Sequence, residues 1–91
     1  MMLMFDVLLH PLAAKFIERI DSEMSKQIKK KLKELQEYPE QRGKHLRHTQ
    51  FWGLRIGDYR AIYEIMNKDK KVIILFIGHR GDVYDDFSKL Y

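Results

Sequence analysis

The segment "VIILF" (Val72–Phe76) is an unbroken run of apolar residues, and it constrains the fold more than any other stretch of the chain. A strand with one face in water alternates apolar and polar residues, whereas a strand without alternation is covered on both faces. We therefore expect this segment to be a central strand of a sheet. The chain has 91 residues, enough for one small domain with one modest core. We expect a single domain over residues 1–91.

Two helices are predicted upstream. After Pro11, which suits the first turn of a helix, apolar residues recur every four positions as far as Ile20. A second helix begins at Asp21 or Ser22, either of which can cap it, and ends before Pro39. Its apolar stripe consists of Met24, Ile28, Leu32 and Leu35. Only a short polar break separates the two, so they should form a helical hairpin.

Downstream of the helices the apolar period changes from 3.6 to 2, except in the unbroken run Val72–Phe76. Four strands are predicted, at Phe5–His10, Phe51–Ile56, Tyr59–Met66 and Lys71–Ile77. The last three are joined by turn-forming segments, Gly57-Asp58 and Asn67–Lys70, which favour antiparallel hairpins. The polar, basic segment Pro39–Gln50 is expected to be a loop. The predicted fold is α+β with the order β-α-α-β-β-β, in which the helical hairpin packs on one face of a small, mainly antiparallel four-stranded sheet.

Positive charge is concentrated between Gln41 and Arg60. The whole chain has 17 Lys and Arg against 13 Asp and Glu, but this segment has five Lys or Arg and two His against the single acid Asp58. Since the hairpin covers one face of the sheet, strand arginines belong on the other face. A basic face with aromatic residues nearby is typical of single-stranded RNA binding. The alternative is that the arginines are neutralised by Asp58, Glu64 and Asp82 on an exposed face.

Signatures of other chemistries are weak or missing. The chain has no cysteine, which excludes disulfides and thiolate zinc sites and fits a reducing cytoplasm. It has no Gly-rich phosphate loop, and His45-x-x-His48 lacks a carboxylate in register. We therefore expect no metal and no cofactor. The apolar start is interrupted by Asp6 and lacks a basic region, so a first strand is expected there and not a signal peptide or a membrane span.

The segment "LRIGDYRAIYEI" (Leu54–Ile65), followed by "IGHRGDVYDDF" (Ile77–Phe87), resembles the RelE/ParE superfamily of toxins from toxin–antitoxin modules. The predicted element order resembles that family along the whole chain. Members of the RelE branch are endoribonucleases that cleave messenger RNA in the ribosomal A site without a metal ion. The resemblance therefore implies messenger RNA and the ribosome as targets, and a cognate small antitoxin as the protein partner.

The resemblance also implies catalytic roles for individual residues. It points to Arg60 in the Tyr-Arg element, to Arg80 after Gly78-His79, and to Tyr84 in Val-Tyr. Fixed guanidinium groups stabilise the negative charge that develops on phosphate oxygens during RNA cleavage. His79 is the alternative acid or base, because histidine changes its charge near neutral pH.

The resemblance is incomplete at the lysines of the family. Arg55 matches a frequent basic position, but Gly53 and Phe51 stand where well-studied members have lysines. The adjoining loop offers substitutes that would bind RNA, namely Lys44, Arg47 and His48. Two alternatives stay open: a toxin of the ParE branch, which inhibits DNA gyrase without ribonuclease activity, and a catalytically silent RNA-binding relative.

Overall fold

The computed structural model describes residues 4–90, so Met1–Leu3 and Tyr91 lie outside the described residues. In chain order the elements are β1 (Asp6–Leu9), α1 (Pro11–Arg19), α2 (Ser22–Lys33), α3 (Pro39–Arg42), β2 (Lys44–His45), β3 (Phe51–Ile56), β4 (Tyr59–Met66), β5 (Lys71–His79) and α4 (Val83–Leu90). A 3₁₀ turn at Glu34–Gln36 continues α2. The α+β class is confirmed, and all four predicted strands are observed with both ends within two residues of the predicted ones.

The strands form one sheet in the order β1-β5-β4-β3-β2, in which β1 pairs with β5 in parallel and the other pairs are antiparallel. The sheet has five strands and not four, because the predicted loop contains β2. This strand has two residues, and the turn after it is closed by Thr49, whose hydroxyl donates to the Leu46 carbonyl at 2.8 Å and accepts from the Phe51 N–H at 3.0 Å. Two residues are too few to show a strand period in sequence.

The helical hairpin covers one face of the sheet, as predicted. Pro11 is the first residue of α1, and the Asp21 carboxylate caps α2 by accepting from the Met24 N–H at 3.0 Å. The core on this side combines Ala13, Ile17, Ile28, Leu32 and Leu35 of the helices and turn with Leu54, Ile56, Ala61, Tyr63, Val72, Ile74 and Ile77 of the strands. Among residues 4–90, no helix is both long and apolar enough to cross a membrane.

The chain end carries a helix where the sequence predicted only a short tail. Val83 and Phe87 lie four residues apart in α4 and are buried against Ile62 and Leu75, on the sheet face opposite the hairpin. Both faces of β5 are therefore covered, as its unbroken apolar sequence predicted. On the sheet face opposite the hairpin, α4 covers only a part. The uncovered part of that face contains the strand arginines.

Candidate functional site

Two arginines lie directly opposite each other on the face that α4 partly covers. Arg55 of β3 pairs with Arg60 of β4, and Arg60 pairs in turn with Gly78 of β5. Side chains at such directly opposed positions have Cβ atoms about 4.5–5.5 Å apart, and like charges there are destabilising. The pair therefore makes a preformed site for an anion.

On the same face, Lys44 and the Tyr84 hydroxyl both lie next to Gly53. Lys44 of β2 pairs with Gly53 of β3, so both belong to the same side of the sheet. A Cβ atom on Gly53 would lie 3.0 Å from the hydroxyl oxygen of Tyr84 and 3.5 Å from Cδ2 of Leu46. The tyrosine hydroxyl thus lies over Gly53, in space that a larger residue would fill.

These residues surround a concavity of about 250 Å³, which we call the basic groove. It is lined by Arg42, Gly43, Lys44, Leu46, Gly53, Arg55, Arg60 and Tyr84, and none of these is acidic. An adjoining concavity is lined by Lys44, His45, Leu46, Arg47 and Tyr84. The two concavities share three lining residues, so a cationic surface continues along both sides of the tyrosine.

The groove cations are not neutralised by neighbouring acids. Among residues 4–90, the one ion pair within 4.0 Å joins Lys31 to Glu34 at 3.6 Å, on α2 and the turn after it. Neither Arg55 nor Arg60 forms such a pair within the described residues. The interpretation in which Asp58, Glu64 and Asp82 neutralise the strand arginines therefore does not hold for the described residues.

Tyr63 holds the segment that brings Arg42 and Lys44 to the groove. Its buried hydroxyl donates to the Pro39 carbonyl at 2.8 Å, and the backbone of Gly43 also hydrogen-bonds to it. Burial raises the pKa of Tyr63 to about 12, so the hydroxyl keeps its proton. Arg42 donates from Nε to the Glu37 carbonyl at 3.1 Å. Sequence reasoning did not select Arg42 as a site residue, because only the position of α3 shows that it reaches the groove.

His79 and Arg80, which are also predicted site residues, do not line the basic groove. His79 pairs with Tyr59, and their rings meet edge to face at 6.0 Å. Because Gly78 faces the groove side, His79 belongs to the side of the hairpin. Arg80 is exposed in the turn after β5, where its N–H donates to the Asp58 carbonyl at 2.8 Å, and it is not among the residues that line the groove.

The two histidines of His45-x-x-His48 lie in different surroundings. Nε2 of His45 lies 2.6 Å from the Thr49 carbonyl oxygen, and the ring packs edge to face on Trp52 at 5.1 Å. His48 is exposed in the following turn with a φ of 62°. Within the part of the chain that the structure describes, no group of three or more His, Asp or Glu side chains is placed to hold a metal ion.

The comparison with protein families identifies one family. The model described as the ParE toxin of the type II toxin–antitoxin system parDE matches residues 7–84. A comparison with curated proteins gave no match.

Solved structures share the fold. A chain of the RelBE2 toxin–antitoxin complex from Mycobacterium tuberculosis is similar at a TM-score of 0.80 and 25% identity, over 90% of this chain and 98% of that chain. A chain of the intact E. coli RelBE complex is similar at 0.69 and 26%, over 82% and 95%. The isolated E. coli RelE toxin has the same fold at 0.72 and 23%, over 94% and 97%.

Proposed function

The chain belongs to the ParE toxin family of type II toxin–antitoxin systems, within the RelE/ParE superfamily, and from its basic groove and its similarity to chains of RelBE complexes we propose that it is a RelE-type endoribonuclease. It cleaves messenger RNA, bound in the ribosomal A site, and so inhibits translation in the cytoplasm. Residues 1–91 act as one domain. The observation that carries the proposal is the basic groove, in which a tyrosine hydroxyl lies among cations that form no ion pair within residues 4–90.

The charges of the groove suit a phosphodiester substrate. Arg55 and Arg60 stand side by side, and a guanidinium can donate two parallel hydrogen bonds to phosphate oxygens. A phosphate between them relieves their mutual repulsion. Lys44 lies opposite Gly53, over which the tyrosine hydroxyl lies, and suits the next phosphate along the RNA strand. Arg47 continues this path, and His48 follows it in the same turn.

The proposed reaction is an internal displacement at phosphorus. The ribose 2′-oxygen attacks the adjacent phosphorus, its proton passes to a water molecule, and the bond from phosphorus to the 5′-oxygen breaks. The products are a 2′,3′-cyclic phosphate and a 5′-hydroxyl. Arg55 and Arg60 stabilise the added negative charge on the phosphorane oxygens. Tyr84 donates its proton to the leaving 5′-oxygen and regains one from solvent. Protein cations thus stabilise the charge that a metal ion stabilises in other nucleases.

Substitutions at Tyr84 test the proposal. Cleavage of a message bound to ribosomes is measured for the wild type, Tyr84→Phe and Tyr84→Ala, and the product ends are identified. If the hydroxyl is the proton donor, both variants lose about 10²- to 10⁴-fold in rate, because both lack it. His79→Gln serves as the control and stays within about twofold. A fully active Tyr84→Phe would show that the ring stacks on a base and transfers no proton.

A ParE-type activity, inhibition of DNA gyrase without ribonuclease activity, is the second candidate. The observation that favours it is the description of the matching family model, together with Gly53 and Phe51 at the positions of family lysines. Under this reading the groove cations bind an acidic surface and no RNA is cut. A catalytically silent RNA-binding protein would bind ribosomes yet leave both messages and gyrase unaffected.

We also propose a small acidic antitoxin as the partner of the basic groove. The described neighbours from M. tuberculosis and E. coli are chains of toxin–antitoxin complexes. A second surface suits the same partner, a concavity lined by Val7, Leu9, Lys29, Leu32, Lys33 and Gln36. Its apolar floor and lysine rim fit an acidic, amphipathic segment that folds as it binds.

Co-expression with the neighbouring gene product tests the partner. We expect a tight complex without ribonuclease activity, whose association rate falls steeply with salt because complementary charge mainly raises the on-rate. Arg55→Gln should slow the association, whereas Lys68→Gln, in the turn after β4, should not. A neighbouring product that is not acidic and does not bind would contradict the proposal.

A further inference from the structure

Tyr84 lies between two points at which α4 is fixed to the sheet. Val83, the residue before it, packs over Gly78, where a Cβ atom would lie 3.3 Å from Cγ2 of Val83. Phe87, three residues after it, is 7% exposed. These residues belong to the same helical face, since positions three and four apart are neighbours on an α-helix. The helix is therefore fixed on both sides of the tyrosine.

Phe87 is held by an aromatic cluster formed by Phe51, Phe76 and Phe87, which we call the α4 cluster. The rings of Phe51 and Phe87 meet edge to face, with centroids 5.1 Å apart and planes at 87°. Phe76 lies 6.2 Å from Phe87. Such contacts prefer defined ring orientations and stabilise by about 0.5–1.5 kcal/mol beyond the area they bury. The cluster thus fixes the position of α4 on the sheet.

No hydrogen bond fixes the tyrosine hydroxyl itself within residues 4–90. The side chain of Tyr84 is partly exposed, at 42%, and its hydroxyl oxygen lies over Gly53 beside Leu46. Its position is therefore determined by packing of the helix and by the absence of a side chain at Gly53. The hydroxyl is therefore available to form a hydrogen bond with a ligand in the groove.

We propose that the α4 cluster and Gly53 are positioning elements that hold the Tyr84 hydroxyl at the floor of the basic groove before RNA binds. Phe87 does not touch the RNA. It acts through Tyr84, and the inference rests on the proposed function only for its effect on cleavage. A change at Phe87 should alter the rate of the chemical step and leave binding, which depends on the groove cations, nearly unchanged.

The test compares Phe87→Leu with Phe16→Leu as the matched control. Phe16 packs edge to face on Tyr59 at 5.6 Å on the other side of the sheet, so the same substitution there removes a similar ring contact far from Tyr84. A third variant, Gly53→Ala, displaces the hydroxyl while the α4 cluster stays intact. Each protein carries 3-fluorotyrosine at position 84, whose ¹⁹F resonance reports the surroundings of that ring, and each is assayed for cleavage of ribosome-bound message.

We expect Phe87→Leu and Gly53→Ala to lower kcat by about tenfold to a hundredfold while KM stays within about twofold, because a displacement of about 1 Å in a reacting group has effects of this size. The ¹⁹F resonance should move toward that of free fluorotyrosine in both variants. Phe16→Leu should change neither. Equal kcat values and unmoved resonances in Phe87→Leu and Phe16→Leu would overturn the inference. A wild type that cleaves no message refutes the proposed function, and the ¹⁹F resonance then decides the positioning by itself.

Discussion

The family resemblance implies the same catalytic role for Arg60 and Arg80, yet the two side chains lie in different surroundings. Arg60 lines the basic groove beside Arg55, whereas Arg80 is exposed in the turn after β5. The catalytic role of Arg80 stays a prediction. Its position outside the groove lining fits contact with a phosphate away from the one under attack.

Alanine substitutions separate the two roles. Arg60→Ala should lower kcat by about 10²- to 10³-fold, the effect of removing one donor to a developing oxyanion. Arg80→Ala should raise KM several-fold and lower kcat little, because one phosphate contact is lost. The measurement is steady-state cleavage of ribosome-bound message, with thermal unfolding as the control for stability. An Arg80→Ala protein with the larger loss in kcat would place Arg80 at the scissile phosphate.

Because of Tyr63, the stability of the protein should decrease with rising pH in the alkaline range. Its pKa is raised to about 12, whereas an unfolded tyrosine has a pKa of about 10, so the folded state holds the proton more tightly. Its contribution is fully present below about pH 10 and is lost as pH rises through about 12. Between about pH 10 and 12, the free energy of unfolding in urea should fall more steeply with pH for the wild type than for Tyr63→Phe. Tyr59→Phe is the control and should follow the wild type. Parallel slopes in all three would contradict this account.

At the scale of elements, α2 depends on a single side-chain cap. The Asp21 carboxylate accepts from the Met24 N–H, while Ser22 is the first helical residue. Asp21→Ala should therefore reduce the free energy of unfolding by about 0.5–2 kcal/mol, and Ser22→Ala by much less. Urea denaturation measures both. A larger loss in Ser22→Ala would mean that the cap is assigned to the wrong residue.

Elements with a clear period were predictable, and elements without one were not. The helical hairpin followed from a period of 3.6, the strands β3 and β4 followed from a period of 2, and β5 followed from its unbroken apolar run. β2 was not predicted, because two residues are too few to show a period. α4 showed a weak signal, Val83 and Phe87 four residues apart, but Asp82, Asp85 and Asp86 around them resembled a polar tail.

At the scale of the whole molecule, the basic face was predictable and the groove was not. Strand alternation put Arg55 and Arg60 on one side, and the register confirms this placement. The meeting of Lys44, Gly53 and Tyr84 depends on the pairing of β2 with β3 and on the packing of α4, which are contacts between distant parts of the chain. Sequence alone also did not reveal that His79 belongs to the opposite side, because that follows from its register with Tyr59.

Mapping of cut sites in messenger RNA after induced expression tests the central claim most directly. Primer extension on a translated message should show cuts inside codons with the wild type, and these cuts should depend on translation. They should disappear with Tyr84→Ala and with Arg60→Ala. Intact messages in growth-arrested cells that show DNA-damage signalling would contradict the account and identify a ParE-type toxin.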